Sequence, residues 1–346
     1  MNVKLQEQMT GTLPEGFSVR GAVDTDIEPA VALFNRWSQS VLHRDEVSFP
    51  KVLLNEWHST GFDPAEDIRL VFAPDGRMAA YIEVWTNVNP PVHPWLWGRV
   101  DPDFQGLGIG TWLMHWGEAR SMLALERVPE SLRFAPHTGT YRNASGAVKL
   151  FKGLGYNYCR STYVMQIDME TPPPAPLWPE GITLRAFNPE TDMEAVYRAD
   201  QDSFRDHYGF VEEPFEEGLE RFKHFNTGYK GFYPSLFFLA VEGDEIAGIS
   251  LCPPCSLSDP NQGWVGTLGV RRPWRKRGLG LALLLHSFGE FYNRGKRKVG
   301  LSVDAENLTG ALRLYEKAGM RVLEAFDLYE RELQPGKEIR VESLTT

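Results

Sequence analysis

Apolar runs in the first half of this 346-residue chain predict strands and helices in a mixed order. Ile68–Ala73 and Met78–Trp85 flank Pro74-Asp75-Gly76, a turn signal that predicts a β-hairpin. The other strands predicted in this half are Phe17–Ala22, Trp95–Val100, Leu132–Ala135 and Tyr163–Met169, and the predicted helices are Ile27–Leu42, Val47–Gly61, Thr111–Leu125 and Ala144–Lys152.

The second half repeats this order of elements. Leu236–Glu242 and Ile246–Leu251 flank Gly243-Asp244, which predicts a second hairpin. The other predicted strands are Ile182–Phe187, Val265–Val270, Lys298–Val303 and Arg321–Arg331, and the predicted helices are Pro189–Ser203, Phe215–Phe225, Leu281–Tyr292 and Thr309–Ala318. The order β-α-α-β-β-β-α-β-α-β in each half predicts an α/β fold in which a mixed sheet carries helices on its faces.

Four pairs of residues lie at nearly constant separations along the chain, which indicates an internal duplication. The pairs are Arg20 with Arg185 at 165 residues, Gly108 with Gly278 at 170, and Asn143 with Asn307 and Phe151 with Tyr315 at 164. Between the halves, residues 170–181 read ETPPPAPLWPEG, and the five prolines predict a stiff, extended linker. We therefore predict a first domain at 1–169, this linker, and a second domain at 182–346.

A basic loop that contains glycine joins a predicted strand to a predicted helix in the second half. The order strand, loop, helix gathers free backbone N–H groups and a positive helix end at one place, which favours an anion such as a phosphate. The loop has neither a Gly-Lys-Ser/Thr ending nor a Gly-x-Gly-x-x-Gly pattern. A solvated turn is the competing interpretation. The residues that define the loop are Arg271, Arg272, Arg275, Lys276, Arg277, Gly278 and Gly280.

The six residues from Arg275 to Gly280 resemble the Arg/Gln-x-x-Gly-x-Gly/Ala pyrophosphate loop of the GNAT superfamily of N-acetyltransferases. Asn307, Tyr315 and the pair Gly319-Met320 follow in the order of that family's pattern. The first half carries the same loop as Gln105, Gly108 and Gly110. The resemblance implies two tandem GNAT acyl-CoA N-acyltransferase domains. The arrangement is similar to the mycothiol-synthase type, in which the C-terminal copy does the chemistry.

The resemblance also implies the reaction: direct transfer of an acetyl group from acetyl-CoA to the amine of a small molecule, without a metal. In the family, a tyrosine at the position of Tyr315 gives a proton to the leaving thiolate. Without the resemblance, Tyr315 would be interpreted as a half-buried aromatic residue on a helix, and Asn307 as a helix N-cap. The expected cofactor-binding residues are Leu268, Val270, Arg275, Lys276, Arg277, Gly278, Leu279, Gly280, Leu281 and Asn307.

The first copy departs from this pattern at one position that matters for chemistry. Phe151 stands where the second copy has Tyr315, and a phenyl ring has no proton to give. Its loop also lacks the flanking arginines. We therefore predict that residues 1–169 are catalytically idle. The second candidate cofactor site comprises Val100, Gln105, Gly106, Gly108, Gly110 and Asn143.

The sequence leaves the general base open. Many relatives in the family carry a glutamate on the strand before the loop, whereas this chain has Trp264 near that place. The residues in the segment that lines the acceptor site in the family are Asp202, Asp206, His207 and Glu212, each of which could equally be a surface residue. A water relay, or an amine that binds in its neutral form, would also serve. Aromatic residues near acids in Phe204–Pro234 suit a cationic or amphipathic amine.

Composition narrows the remaining classes of function. A formal net charge of −10 disfavours broad binding to nucleic acid. The competing interpretations that stay open are a protein or peptide N-acetyltransferase, an enzyme for a longer acyl-CoA, and a CoA-binding protein without activity.

The three cysteines are too few for a disulfide framework and fit a reducing compartment. Cys252-Pro-Pro-Cys255 is a lone pair, and zinc would need two more ligands, so we interpret it as structural. No long apolar run and no signal peptide are visible. We expect a cytoplasmic monomer or homodimer with no membrane, nucleic-acid or metal partner.

Overall fold

The computed structural model describes residues 12–227, 232–307 and 310–342, and it divides into two compact units. Unit 1 comprises the residues up to 160 together with 326–339, and unit 2 comprises 161–325 and the residues from 340. The compact units thus differ from the predicted halves 1–169 and 182–346. The difference arises because the last strand of each half contributes to the other half's unit.

Unit 1 contains a mixed sheet with the strand order β1-β2-β3-β4-β5-β13. Its strands are β1 (Ser18–Arg20), β2 (Ile68–Phe72), β3 (Met78–Trp85), β4 (Trp95–Val100), β5 (His137–Tyr141) and the part of β13 (Arg321–Glu330) from Phe326 onward. Its helices are α1 (Ile27–Leu42), α2 (Pro50–Trp57), α3 (Pro64–Asp67), α4 (Ile109–Met122) and α5 (Ser145–Gly153). The predicted hairpin is confirmed, because β2 pairs antiparallel with β3.

Unit 2 contains two groups of paired strands. Its strands are β6 (Asn157–Asp168) from Ser161 onward, β7 (Ile182–Ala186), β8 (Phe237–Glu242), β9 (Glu245–Leu251), β10 (Gln262–Trp264), β11 (Thr267–Val270) and β12 (Lys298–Asp304). Its helices are α6 (Met193–Phe204), α7 (Phe215–Thr227), α8 (Leu279–Asn293) and α9 (Ala311–Lys317). One sheet has the order β11-β9-β8-β7, while β12 lies between β6 and β10. The first residue of the helix predicted at Thr309–Ala318, Thr309, lies outside the described residues.

In each unit, one helix packs its apolar side chains into the core. This packing fixes the position of the N-terminal end of the helix. In unit 2, α8 buries Leu283, Leu284, Phe288 and Phe291. In unit 1, α4 buries a comparable set that includes Trp116. Each fully buried large apolar side chain contributes about 1.5–3 kcal/mol to folding. The N-terminal ends of both helices are therefore held rigidly against the sheet that precedes them.

The prediction of a strand at Leu132–Ala135 was wrong, because the strand lies further along at His137–Tyr141. The apolar run before it packs inward, with Phe134 fully buried, and makes only isolated bridges to residues 334 and 337. The true strand contains Gly139, which faces the Phe326 ring: a Cβ atom built there would lie 2.3 Å from that ring. Position 139 needs a glycine because the Phe326 ring of β13 occupies the space of a side chain, and this contact exists only in the folded sheet.

The sequence prediction of a mixed α/β sheet with helices is confirmed. No helix among the described residues is long and apolar enough to cross a bilayer. The predicted absence of a signal peptide concerns residues that lie mostly outside the described part of the chain.

The pairing of β13 with β5 can be tested by substitutions at Gly139 and Phe326. We expect Gly139→Ala to lower the free energy of unfolding by about 1–3 kcal/mol, because the added methyl overlaps the Phe326 ring. In a Phe326→Ala background the same substitution should cost much less, as urea denaturation of the four proteins would measure. Gly146→Ala is the matched control, since a Cβ there meets nothing within 4 Å. Equal costs of Gly139→Ala in both backgrounds would contradict the observed pairing.

Candidate active site

A cleft of about 780 Å³ opens in unit 2 where β11 and β12 separate. The parallel pairing of β10 with β12 ends at Trp264 and Gly300, after which the Val265 N–H donates to the Gly300 carbonyl at 2.9 Å. Beyond that point β11 pairs only with β9 among the described strands. One edge of β11 therefore carries backbone groups outside any sheet ladder, and Leu268 and Val270 line the cleft there.

The loop that follows β11 brings the start of α8 to the same cleft. A turn at Arg272–Trp274 is followed by two residues with positive φ, Lys276 at +62° and Gly278 at +86°. The Ala282 N–H donates to the Gly278 carbonyl at 3.1 Å, as the first bond of the helix. The N–H groups of residues 279–281 precede that bond and belong to residues that line the cleft. This end of α8 is positive and suits an anion.

The two glycines of the loop have different physical roles. Gly278 adopts a left-handed φ, which costs an ordinary residue about 1 kcal/mol, and a Cβ there would meet nothing within 4 Å. Gly280 has an ordinary φ, but a Cβ there would lie 3.1 Å from the Leu314 side chain on α9. Gly280 therefore allows α8 and α9 to pack closely.

The arginines of the loop bind groups within the chain. Arg275 donates from Nε to the Val270 carbonyl at 3.0 Å, from Nη1 to Asp206 at 2.7 Å and from Nη2 to the Ser203 carbonyl at 2.9 Å. Arg272 also binds Asp206. Arg275 thus anchors the loop to the end of α6 while it also lines the cleft, and its predicted part in binding the cofactor stays a prediction.

Arg277 lies outside the cleft. It donates to the Glu180 carbonyl at 2.9 Å and to the Glu242 carboxylate at 3.1 Å. Lys276 lines the cleft and has no carboxylate partner among the described residues. Of the predicted cofactor-binding residues, all but Arg277 line this one cleft.

Only one of the four candidate bases lies in the cleft. The guanidinium groups of Arg272 and Arg275 hold the pKa of Asp206 well below its usual range, which makes it a poor proton acceptor. Asp202 pairs with Arg271, and both Asp202 and Glu212 line a separate hollow. His207 remains.

His207 lines the cleft and is placed by the end of α6, where its ring contacts the Phe204 ring at 4.7 Å between centroids. Burial, followed by the positive charge of Arg275, lowers the pKa of His207 below its ordinary value. The imidazole is therefore neutral at pH 7 and has a lone pair to accept a proton. Trp264 does not line the cleft.

Tyr315 lies on α9 and lines the cleft while remaining only 7% exposed. Burial raises the pKa of Tyr315 to about 12, so that the phenol stays protonated at neutral pH. Its hydroxyl has no hydrogen-bond partner among the described residues. Asn307 also lines the cleft, and its Oδ1 accepts from the Ala311 N–H at 3.2 Å. Asn307 thus binds the first N–H group of the helix that carries Tyr315, whose N-cap residue is Gly310.

Unit 1 contains a second cleft of about 910 Å³ with the same backbone design. Parallel pairing of β4 with β5 is limited to Trp95 with His137 and Leu96 with Thr138. A turn at Pro102–Phe104 leads into α4, and the Trp112 N–H donates to the Gly108 carbonyl at 3.1 Å. All six residues of the second candidate cofactor site line this cleft.

The side chains of the cleft in unit 1 differ where chemistry would need them. Gln105 donates to the Val100 carbonyl at 3.4 Å, in the place where Arg275 donates to Val270. Phe151 lines the cleft and packs against Tyr329 at 5.5 Å between ring centroids. Asn143 donates to the Val41 carbonyl at 2.9 Å and does not cap α5.

Two features of the cleft in unit 2 escaped the sequence analysis. Its far wall is formed by Leu301–Asp304 of β12, an ordinary strand without a motif. The anchoring of Arg275 by Asp206 joins residues that lie 69 positions apart, and no local spacing signals such a pair. Cys252 and Cys255 line neither cleft. Cys252 is fully buried in the core of unit 2, and burial raises the pKa of its thiol to about 11.

Comparison with known proteins finds the same family in both halves of the chain. Residues 32–156 and 193–320 each match the acetyltransferase (GNAT) family. The chain is 31% identical over 226 residues to a mycothiol acetyltransferase of Thermobispora bispora, covering 64% of this chain and 70% of that protein. It is 30% identical over 272 residues to one of Streptomyces scabiei, covering 78% and 82%.

A solved structure is also similar along almost the whole chain. The GCN5-related N-acetyltransferase from Sphaerobacter thermophilus is 37% identical with a TM-score of 0.78, and the match covers 94% of this chain and 99% of that one. The chain therefore belongs to the GNAT acetyltransferase family and contains two copies of its domain.

The ion pair that anchors the loop gives a prediction about stability. We expect Asp206→Asn to lower the free energy of unfolding by about 2 kcal/mol. This is less than for a fully buried pair, because Arg272 is largely exposed. Because the pKa of Asp206 is lowered in the folded state, its contribution is complete above the unfolded value near 4 and is lost as the pH falls further. Urea denaturation at several pH values would measure both effects.

Asp202→Asn is the matched control, since Asp202 pairs with Arg271 and is 38% exposed. We expect a cost below about 1 kcal/mol for that variant. A cost for Asp206→Asn that stayed constant down to pH 2 would contradict the assigned role.

Proposed function

We propose that this GNAT acetyltransferase transfers an acetyl group from acetyl-CoA to the amine of a small molecule in the cleft of unit 2. The observation that carries the proposal is the combination, in one cleft, of an unpaired strand edge, the start of α8, and two side chains suited to move protons. Those side chains are Tyr315, which stays protonated, and His207, which stays neutral. The cleft of unit 1 has the same backbone design but Phe151 at the place of Tyr315.

Three parts of acetyl-CoA have a complementary surface in this cleft: the pyrophosphate, the amide-containing arm and the thioester. The N–H groups of residues 279–281 and the ammonium of Lys276 suit the pyrophosphate. The free edge of β11 suits the amide-containing arm, which can hydrogen-bond to a strand edge as another strand would. Backbone groups near Leu268 would then hold the thioester beside His207 and Tyr315, which line the same cleft.

The reaction follows from these positions with atoms in balance. His207 accepts a proton from the ammonium form of the substrate, and the neutral nitrogen attacks the thioester carbonyl carbon. The C–S bond breaks as the amide C–N bond forms. A thiol has a pKa near 8.5, below that of Tyr315. Tyr315 therefore acts while the bond is breaking, by donating its O–H to the developing thiolate. The second proton that the nitrogen loses as the amide forms restores the Tyr315 phenol, and the proton held by His207 goes to solvent.

A small amine is favoured as the acceptor by the named relatives, which are mycothiol acetyltransferases. Asp304 lines the same cleft as His207 and would attract a cationic amine. A protein N-terminus or a CoA-binding role without turnover remains the alternative. Turnover assays with small amines and with peptides would separate these.

Titration of acetyl-CoA into the intact protein should reveal which copy binds. We expect one equivalent to bind in unit 2, and Gly278→Ala to weaken that binding about fivefold to tenfold because it strains the left-handed position. Gly108→Ala is the matched control: its φ is +81° in the corresponding loop of unit 1. Equal losses in both variants would assign binding to both copies, and absence of any binding would reject the proposed function.

The two proton-transfer roles predict different kinetic signatures. We expect Tyr315→Phe to lower kcat about 100-fold or more at unchanged acetyl-CoA affinity. His207→Gln should also lower kcat. In addition it should remove the acid limb of the pH profile. In the native protein this limb appears as His207 gains its proton, and it lies at lower pH than for an ordinary histidine because the pKa of His207 is lowered by burial. Tyr158→Phe, on the surface of unit 1, is the control. Unchanged turnover of every accepted amine in Tyr315→Phe would rule out the proton-donor role.

A further inference from the structure

Unit 1 contains a cluster of titratable side chains that lines neither cleft. Two histidines and three glutamates surround one arginine there. His93 precedes β4, His137 begins β5 and Glu330 ends β13, so three distant parts of the chain meet at this point. The His93 cluster comprises His93, Arg133, His137, Glu330, Glu332 and Glu338.

The nitrogen and oxygen atoms of this cluster are close enough to share one ion. The His93 and His137 rings stack with centroids 4.7 Å apart and an angle of 10°. His137 Nε2 lies 3.0 Å from Glu330 Oε2. One ligand atom from each of these three residues lies within 4.8 Å of the others. Ligands at the usual 2.0–2.2 Å from zinc lie roughly 3.3 Å from one another, so small side-chain rotations would suffice.

The hydrogen bonds of His93 show that it faces two acceptors. Its Nδ1 lies 3.1 Å from the Ala135 carbonyl, and its Nε2 lies 3.0 Å from Glu338 Oε1. A neutral imidazole has a single N–H, whereas a carbonyl and a carboxylate can only accept. One of the two nitrogens therefore faces an acceptor without a proton unless the ring is doubly protonated. In the tautomer in which Nδ1 donates to the Ala135 carbonyl, Nε2 needs either a second proton or a metal ion. A backbone carbonyl on the far nitrogen is the usual support for a metal-binding histidine.

Arg133 orients the carboxylates of Glu330 and Glu338 by binding the oxygen atoms that do not face the imidazoles. Its Nη2 donates to Glu330 Oε1 at 2.8 Å, and its Nη1 donates to Glu338 Oε2 at 3.1 Å. The opposite oxygens, Oε2 of Glu330 and Oε1 of Glu338, are the ones near the two imidazoles. Glu338 Oε1 also accepts from the Ile339 N–H at 2.8 Å. Such outer contacts orient ligands around a metal.

Charge favours a cation at this point. The side chains of both histidines, of Arg133, and of Glu330 and Glu338 are only 11–17% exposed. Two largely buried carboxylates, those of Glu330 and Glu338, face one guanidinium, while the third, that of Glu332, is 47% exposed; neutral imidazoles therefore leave one excess negative charge in the buried part of the cluster. Burying such an excess is costly, and a divalent cation would balance it.

We propose that the His93 cluster binds one divalent transition-metal ion, with Zn²⁺ as the best match. The ligands would be Nε2 of His93 and His137 and one carboxylate oxygen of Glu330, the three groups that lie together, and Glu338 Oε1, which lies 3.0 Å from His93 Nε2 and would join them after a side-chain rotation. Two imidazoles and two carboxylates suit zinc in tetrahedral coordination. Four protein ligands leave no open position, so the ion is structural. It fastens the 330–338 segment to β5 and to the loop before β4.

The test is titration of Zn²⁺ into the tag-free, chelator-treated full-length protein. We expect one equivalent to bind and to raise the melting temperature, and Co²⁺ to give the visible absorption of a tetrahedral site. The double variant His93→Gln, His137→Gln should bind at least 100-fold more weakly. His58→Gln is the matched control, because His58 Nε2 also lies 3.0 Å from a carboxylate oxygen but is 53% exposed.

Glu338→Gln is a second variant that keeps the side-chain shape and removes one charge, and we expect it to weaken Zn²⁺ binding at least tenfold. Its circular dichroism would establish that the fold is intact. Equal binding by the native protein and the histidine double variant would overturn the proposal. Absence of Zn²⁺ binding by the native protein would also overturn it, and nitrogen NMR that finds both imidazoles doubly protonated at pH 7 would then show that two protons supply the charge.

Discussion

The separation of two strands that begin as parallel neighbours is the constraint on which the candidate active site depends. In unit 2, β10 and β12 pair only as far as Trp264 and Gly300, and β11 then turns away. At the end of β11, the Val270 carbonyl accepts a hydrogen bond from the Arg275 side chain. A side chain thus satisfies a group that a neighbouring strand would otherwise bind. The free strand edge and the start of α8 meet for this reason.

Asp206 binds the arginine side chains of the loop between β11 and α8 and so fixes the positions of their charges. It binds both Arg272 and Arg275, and Arg275 binds the end of α6 through the Ser203 carbonyl. The strongly basic loop is therefore largely neutralised by the chain itself. Lys276 and the helix end supply the remaining positive potential in the cleft. His207, next to Asp206 in sequence, is placed in the cleft by the same contacts.

The two copies illustrate how one backbone design carries different chemistry. Gly106 and Lys276 both adopt a positive φ at the same place in the loop, and Gly108 and Gly278 both begin a helix. The loop geometry has thus been kept in both copies. The side chains that could move protons have not, since Phe151 packs against Tyr329 where Tyr315 lines a cleft.

Local signals in the sequence determined most elements, both glycine loops, the duplication and the position of Tyr315 after Asn307. These features depend on residues that are near one another in the chain, through periodicity, turn chemistry and backbone φ. Tertiary structure alone decided the exchange of the last strands, because pairing of Phe326 with Tyr141 joins residues without any local pattern. It also moved the strand from Leu132–Ala135 to His137–Tyr141.

The same distinction applies to the candidate site. Sequence reasoning named four candidate bases and could not choose, because the choice depends on which side chain faces the cleft and which is bound to an arginine. Only packing places His207 in the cleft and ties Asp206 to Arg275. The His93 cluster likewise forms from residues up to 245 positions apart, so its ligands have no spacing that a sequence pattern could show. Periodicity and turns are properties of neighbouring residues, whereas charge pairing and ligand geometry are properties of the folded chain.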